Sequence, residues 1–328
     1  MARYRIYSET LPFEEVTRRR TLDLLRRYEL EIVLAVRPWQ TGELARTAAT
    51  LRDEGIPLSV WPMIADEEGR WASVHNAQPF FAFVRATCDA LEKAGAPARD
   101  ILLDLEPPFA DARALADARL SRVRRRPSKD AFAVAERTFA RGVAELRDRG
   151  ITTSSAVWPL VALDPPGATG WQSLLGTPVD ALSADHVSVM MYTSIIAGWS
   201  RGAIRRRDAV ELLAAACARV VRRHGERGGI SLGCVGTGAF LDEPVFATPT
   251  DLAEDAAVAR ASGIPSIALF DLGGVLARAP AEAWLDALVD ESTSSSFTSP
   301  PASKRITAAR RLARAATWAL RGRSRSRT

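Results

Sequence analysis

The sequence predicts an α/β fold, an eight-stranded (β/α)8 TIM barrel followed by a disordered basic C-terminal tail. Three observations carry this. Eight short apolar runs alternate with stretches of helical periodicity. Several runs are nearly continuously apolar, as a parallel sheet covered by helices on its outer face requires. No Gly-x-Gly-x-x-Gly turn follows the first run, which counts against an open doubly wound sheet. A chain of 328 residues, 47% hydrophobic and 25% charged, with mean hydropathy −0.05, is long enough for one barrel and able to bury its core.

In chain order the expected strands are YRIYSE, EIVLAVRP, PLSVWPMIA, DILLDLE, TTSSAVWPLV, HVSVMMYTS, GISLGCVGTG and SIALFDLGG. Apolar residues at three- and four-residue spacing predict helices over 16–27, 42–54, 76–94, 130–149, 208–223, 251–261 and 281–289, with a shorter piece at 171–175. Asn76 and Asp208, and Asp251 after Thr250, stand where a side-chain acceptor caps the first free amides. Gly55, Gly150 and Gly263 precede strands, where a helix end needs positive φ. The barrel is therefore expected over residues 1–290. ESTSSSFTSPPAS lacks an apolar period, so a disordered Ser/Thr/Pro linker is expected over 291–302 and a basic tail over 303–328.

The net charge of +5 belongs to that tail. Residues 303–328 carry Lys304 and eight arginines without an acid, and removing those nine cations leaves −4 for the rest. If helical, the tail sets Ile306, Ala309, Ala313, Ala316 and Leu320 on one side and arginines on the other. Two readings stand: contact with an anionic membrane surface or nucleic acid, and a solvated tail without a fixed partner. No specific nucleic-acid partner is expected. The three cysteines, Cys88, Cys217 and Cys234, lie among apolar neighbours and read as buried free thiols. The histidines, His75, His186 and His224, show no paired ligand spacing, so no metal and no other cofactor is expected. The N-terminus lacks a secretory apolar stretch and no run reaches the roughly 18 residues that span a bilayer, which predicts a cytoplasmic protein.

Barrel chemistry sits at the C-terminal ends of the strands. There the fourth run, ILLDLEPP, places Leu102, Asp104 and Glu106 on one face and Ile101, Leu103 and Leu105 on the other. With the aliphatic set packed on helices, the carboxyls point inward, and two so close cannot both ionise cheaply. One is held protonated near neutrality, as a general acid requires. An ion pair with Arg37 is the scaffold alternative. In the sixth run, Ser188, Met190, Tyr192 and Ser194 share a face, which brings a phenol to the mouth. Trp39, Trp71, Trp158, Trp171 and Trp199 fall at strand ends or in the loops that follow, and Trp61 inside the third strand; flat aromatic faces there suit sugar rings. The catalytic residues are expected to be Glu106, Asp104 and Tyr192. The expected substrate contacts are Arg37, Trp39, Trp61, Trp158, Met190, Trp199, Phe270 and Asp271. The long loop 107–128 carries six arginines, which reads as recognition of an anionic group or as a solvated excursion.

Asp104-Leu105-Glu106, Met190-Met191-Tyr192 with Gly198-Trp199, and LGCVGTG together resemble glycoside hydrolase family 18, the chitinase-like barrels. Of the family's Asp-Gly-x-Asp-x-Asp-x-Glu signature the last two acids are present, and Arg99, Asp100 and Leu102 hold the earlier places. The acid after the family's tyrosine is Thr193 here, its Ser-x-Gly-Gly pattern is absent from the third strand, and its eighth-strand tryptophan is Phe270. The resemblance implies that Glu106 gives a proton to the glycosidic oxygen, that Asp104 orients a substrate N-acetyl group attacking the anomeric carbon, and that Tyr192 supports the intermediate. The expected partner is a carbohydrate or glycoconjugate. The competing readings are a barrel that binds carbohydrate without cutting it and a lyase or hydrolase acting on an anionic substrate.

Overall fold

The computed structural model describes residues 2–117, 119, 121, 123, 126–291 and 303–325. The strands are β1 Arg3–Ser8, β2 Glu31–Val36, β3 Leu58–Pro62, β4 Asp100–Leu105, β5 Thr152–Val157, β6 His186–Met190, β7 Gly228–Gly233 and β8 Ser266–Phe270. Each is parallel to the next and β1 pairs with β8, so the sheet closes into a barrel. All eight predicted strands and all seven predicted long helices are present.

The helices are α1 Phe13–Val16, α2 Arg19–Arg27, α3 Thr41–Asp53, α4 Ala77–Lys93, α5 Phe109–Ala116, α6 Lys129–Asp148 and α7 Gly170–Leu175. They continue as α8 Val179–Leu182, α9 Thr193–Trp199, α10 Arg206–His224, α11 Pro249–Ala261, α12 Leu272–Ala277, α13 Ala281–Val289 and α14 Lys304–Arg325. Gly55, Gly150 and Gly263 close α3, α6 and α11 at φ near +70°, the region closed to most side chains. Two of the three expected caps lie three residues inside their helices. Asp208 and Asp251 sit inside the first turns, where they accept from the backbone amides of Arg205 and Thr248. Asn76 holds the cap position, yet its side chain ties the preceding loop through Ser73 and Trp71.

Alternation sorts the strand residues into two cores. Ile101, Leu103 and Leu105 join the large cluster between barrel and helices, whereas Leu102 packs inside with Tyr7, Val33, Trp61, Ala156 and Ala268. At the N-terminal end the interior becomes ionic. Arg5, 3% exposed, donates to Glu31 at 2.7 Å, to Asp100 at 2.9 Å and to Ser154 at 3.1 Å. β3 and β4 pair through two register positions only, Ser59 with Asp100 and Val60 with Ile101. Toward the mouth a loop fills the seam: Ala72 bridges Leu105, and its amide donates to the Asp104 carbonyl at 2.9 Å.

The basic tail, expected as a disordered segment or an amphipathic helix, is the helix α14, packed on the barrel. Ile306 is fully buried, Ser303 Oγ donates to Asp208 at 2.7 Å, and Trp171 Nε1 donates to Thr317 Oγ1 at 2.9 Å. These contacts supply what the Ala-rich face lacks alone. The expected linker lies outside the described residues apart from Glu291. Among the described residues no helix is long and apolar enough to cross a membrane, and the three cysteines are buried free thiols.

Candidate active site

A cavity of about 290 Å³ opens at the C-terminal mouth, lined from β1 by Tyr7 and Glu9, from β3 by Trp61, from β4 by Asp104 and Glu106, and from β6 by Met190 and Tyr192. Trp71, Trp158, Trp199, Phe240, Glu243 and Phe270 are also in its wall. The strand ends place these side chains by the two-residue alternation that orients every barrel interior.

Asp104 is 2% exposed and Glu106 is half-buried, facing the cavity. The two carboxyls are hydrogen-bonded to each other. Burial, then the neighbouring Glu106 charge, holds Asp104 well above the usual carboxylate range, and burial pushes Glu106 up to about 7. Glu106 also accepts from Trp158 Nε1. Trp61 Nε1 and Asp104 Oδ1 lie buried without a hydrogen bond of good geometry among the described residues. The pair thus holds a proton into neutral pH beside open space, which is what general acid chemistry needs.

Tyr192, half-buried at the start of α9, packs on Phe270 with ring centroids 5.6 Å apart. Burial raises its hydroxyl well above the ordinary phenol range, so it stays a neutral donor. Tyr7 reaches Ser231 Oγ at 3.1 Å, and Ser231 is linked to Ser188 at 2.8 Å.

Three expected substrate contacts stand elsewhere. Arg37 and Trp39 line an adjoining cleft of about 910 Å³, because the Arg37 guanidinium is drawn to Asp66 and stacks 5.1 Å from the Trp39 ring centroid. Arg37 therefore does not neutralise the carboxyl pair. Asp271 faces the backbone: its carboxylate caps α12 by accepting from Gly274 at 2.9 Å. Trp171 lies against α14 rather than at the mouth. The loop after β4 is not all irregular, since α5 forms within it. Arg113 is taken up by Asp242 at 2.6 and 2.8 Å and Arg126 by Ser173 at 2.9 Å, while Arg122, Arg124 and Arg125 lie outside the described residues.

Glu243 and Phe240 were not among the expected site residues; Glu9, at the end of the expected first strand, and Trp71, among the expected mouth tryptophans, join them in the cavity lining. Glu9 continues the inward series Arg5, Tyr7 and is bound by Arg70 at 3.0 Å; burial outweighs that cation and lifts it to about 8. Glu243 Oε1 accepts from the Phe240 amide at 2.9 Å, and Oε2 is buried without a partner among the described residues. Trp71 and Phe240 come from loops, where no period marks a face. The glycines of LGCVGTG allow close approach: a Cβ on Gly274 would lie 2.1 Å from the Gly236 amide nitrogen. Gly274→Ala is expected to cost about 1–3 kcal/mol through this overpacking and to loosen the β7 loop that carries Phe240 and Glu243, read as a lower urea midpoint.

No protein-family model matches the chain, and no curated protein does. Solved structures match its barrel. The glycoside hydrolase domain of PgaB (BpsB) from Bordetella bronchiseptica is 15% identical, with 88% of this chain and 99% of that one covered and a TM-score of 0.52. A GH5_18 from Bifidobacterium longum subsp. infantis is 11% identical over 82% and 69%, with a TM-score of 0.53. A GH5_18 variant from Bifidobacterium longum subsp. longum, in complex with Manβ1-4GlcNAc, is 10% identical over 83% and 69%, with a TM-score of 0.51. Sugar epimerases such as the D-allulose 3-epimerase from Methylomonas sp. also match, at 0.47. At these identities the likeness is one of fold.

Proposed function

We propose that the protein is a glycoside hydrolase of the chitinase-like type, acting on a glycan or glycoconjugate by carboxylic acid catalysis. The observation that carries this is the proton-sharing Asp104–Glu106 pair facing a cavity walled by Trp61, Trp71, Trp158 and Trp199. Glu106 is the proton donor to the glycosidic oxygen. Asp104, behind it, orients a substrate N-acetyl group, and the Tyr192 hydroxyl steadies the charge that develops there. The tryptophans offer flat apolar faces to sugar rings. The glycoside hydrolases among the solved structures, one holding a disaccharide, support carbohydrate as the substrate class.

A non-cutting carbohydrate binder is the second reading. Leu102 lies behind Asp104 where the family has an acid, and Thr193 turns away to bond Asp255 and Arg206. An anionic substrate has less support, since Arg70 beside the cavity is already paired with Glu9 and Asp66. Hydrolysis of chromogenic glycosides with and without N-acetyl groups separates the readings: turnover confined to N-acetylated sugars is expected, and silence across a panel that the protein nevertheless binds would favour the binder.

The acid form of Glu106 is the working form. Its raised pKa keeps the proton on below about 7, so kcat/KM is expected to hold on the acid side of neutrality and to fall about tenfold per pH unit above it. A rate that instead rises from pH 7 to 9 would remove Glu106 from this role.

A further inference from the structure

Beside the sugar cavity runs a second space that this chemistry does not use. A groove of about 1120 Å³ lies between α10, α14 and the loop after β5. It exceeds the roughly 300–1,000 Å³ of ordinary small-molecule pockets. Its floor is aliphatic, with Leu160, Leu163, Met191 and Leu212. Its rim is cationic: Arg219 and Arg222 from α10 face Arg310 and Arg314 from α14. Arg222, Arg310 and Arg314 make no hydrogen bond or ion pair among the described residues, and burial first, then these three cations, lowers the pKa of Arg219. The acid in the lining, Asp164, is taken up by the amides of Trp171 and Gln172. Four guanidinium groups gathered along one rim, Arg222 and Arg314 of them exposed, repel one another, and an anion set among them would relieve that repulsion. On the same helix Leu312 and Trp318 are left 72% and 76% exposed.

We infer that this groove is a binding site for an anionic lipid, the headgroup held by the arginines of α10 and α14 and the acyl chain laid on the aliphatic floor. An aliphatic floor suits a hydrocarbon chain, whereas nucleic acid would call for stacking platforms and a polar channel. Trp158, Pro159 and Ile196 line both the groove and the sugar cavity, and Trp158 is the residue that bonds Glu106. A bound lipid therefore lies next to the carboxyl pair. Resting on the proposed glycosidase reading, this makes a lipid-linked sugar the substrate class; the lipid site itself does not depend on that reading.

The test is sedimentation of the full chain with vesicles of phosphatidylcholine alone and with vesicles containing phosphatidylglycerol. Binding is expected only to the second. The double variant Arg310→Gln, Arg314→Gln is expected to bind roughly thirty-fold more weakly, as the loss of two arginines at an anionic surface implies, with an unchanged thermal melt. Trp318→Ser, which alters no charge, should also weaken binding, which separates the groove from a merely basic face. Glu106→Gln should sediment like wild type, so failed hydrolysis and failed lipid binding are told apart. The inference is overturned if both vesicles bind equally, if either groove variant binds like wild type, if inorganic phosphate at equal anion concentration strips the protein from vesicles, or if a duplex oligonucleotide is bound in preference to phosphatidylglycerol.

Discussion

Glu106→Gln is expected to lower turnover by about 10²–10⁴-fold while leaving the affinity for a sugar ligand near wild type. The amide has nearly the same shape and still offers an oxygen to Trp158 Nε1, so the cavity wall keeps its geometry. What it loses is the proton. Asp104 is poorly placed to replace it as donor, because it lies deeper in the barrel and is 2% exposed. Parallel measurement of kcat and of ligand binding by calorimetry decides the matter. If both proteins bind sugar and neither turns it over, the barrel is a binder; if the variant keeps its rate, the proton comes from elsewhere.

Arg5→Ala is expected to destabilise the fold by about 3–5 kcal/mol. The guanidinium is the bridge between the buried Glu31 and Asp100, and its removal strands two carboxyls of like charge inside the barrel. Arg3 still reaches Glu31, and Ser59, Thr152 and Ser154 still donate to Asp100, which limits the loss without replacing the central cation. Urea unfolding gives the change directly. Replacing Arg5, Glu31 and Asp100 together by apolar residues of similar volume should recover much of it, since the desolvation of three charges then disappears. A loss under 1 kcal/mol for Arg5→Ala would mean that water enters the barrel base.

The order of elements was legible because two periods run through the chain. The inward series Leu102, Asp104, Glu106 and Met190, Tyr192 follow from the two-residue repeat alone, and the structure packs Leu102 in the barrel interior and brings the other four to one cavity. The same repeat carries Arg5 and Tyr7 on to Glu9, the last residue of the expected first strand YRIYSE. Arg37 shows the limit of the rule: alternation aims it at the mouth, but a long side chain goes where its charge is met, here to Asp66. Asp271 is one residue beyond an inward phenylalanine and spends its carboxylate on a helix start. Trp71, Phe240 and Glu243 come from loops, where backbone turns rather than a repeat decide direction. For α14 the missing information was its partner, because a weak Ala-rich face gains its hold only from what it meets on the barrel.

The seam between β3 and β4 bears on how the site breathes. Near its mouth the strand that carries both carboxyls is fastened on that side through Ala72, a loop residue, instead of by a continuing ladder. Such a fastening can release without unfolding the barrel. The Ala72 amide should therefore exchange its hydrogen with solvent faster than those of Leu102 or Leu103, and a ligand filling the cavity should slow it, which makes one backbone proton a gauge of occupancy.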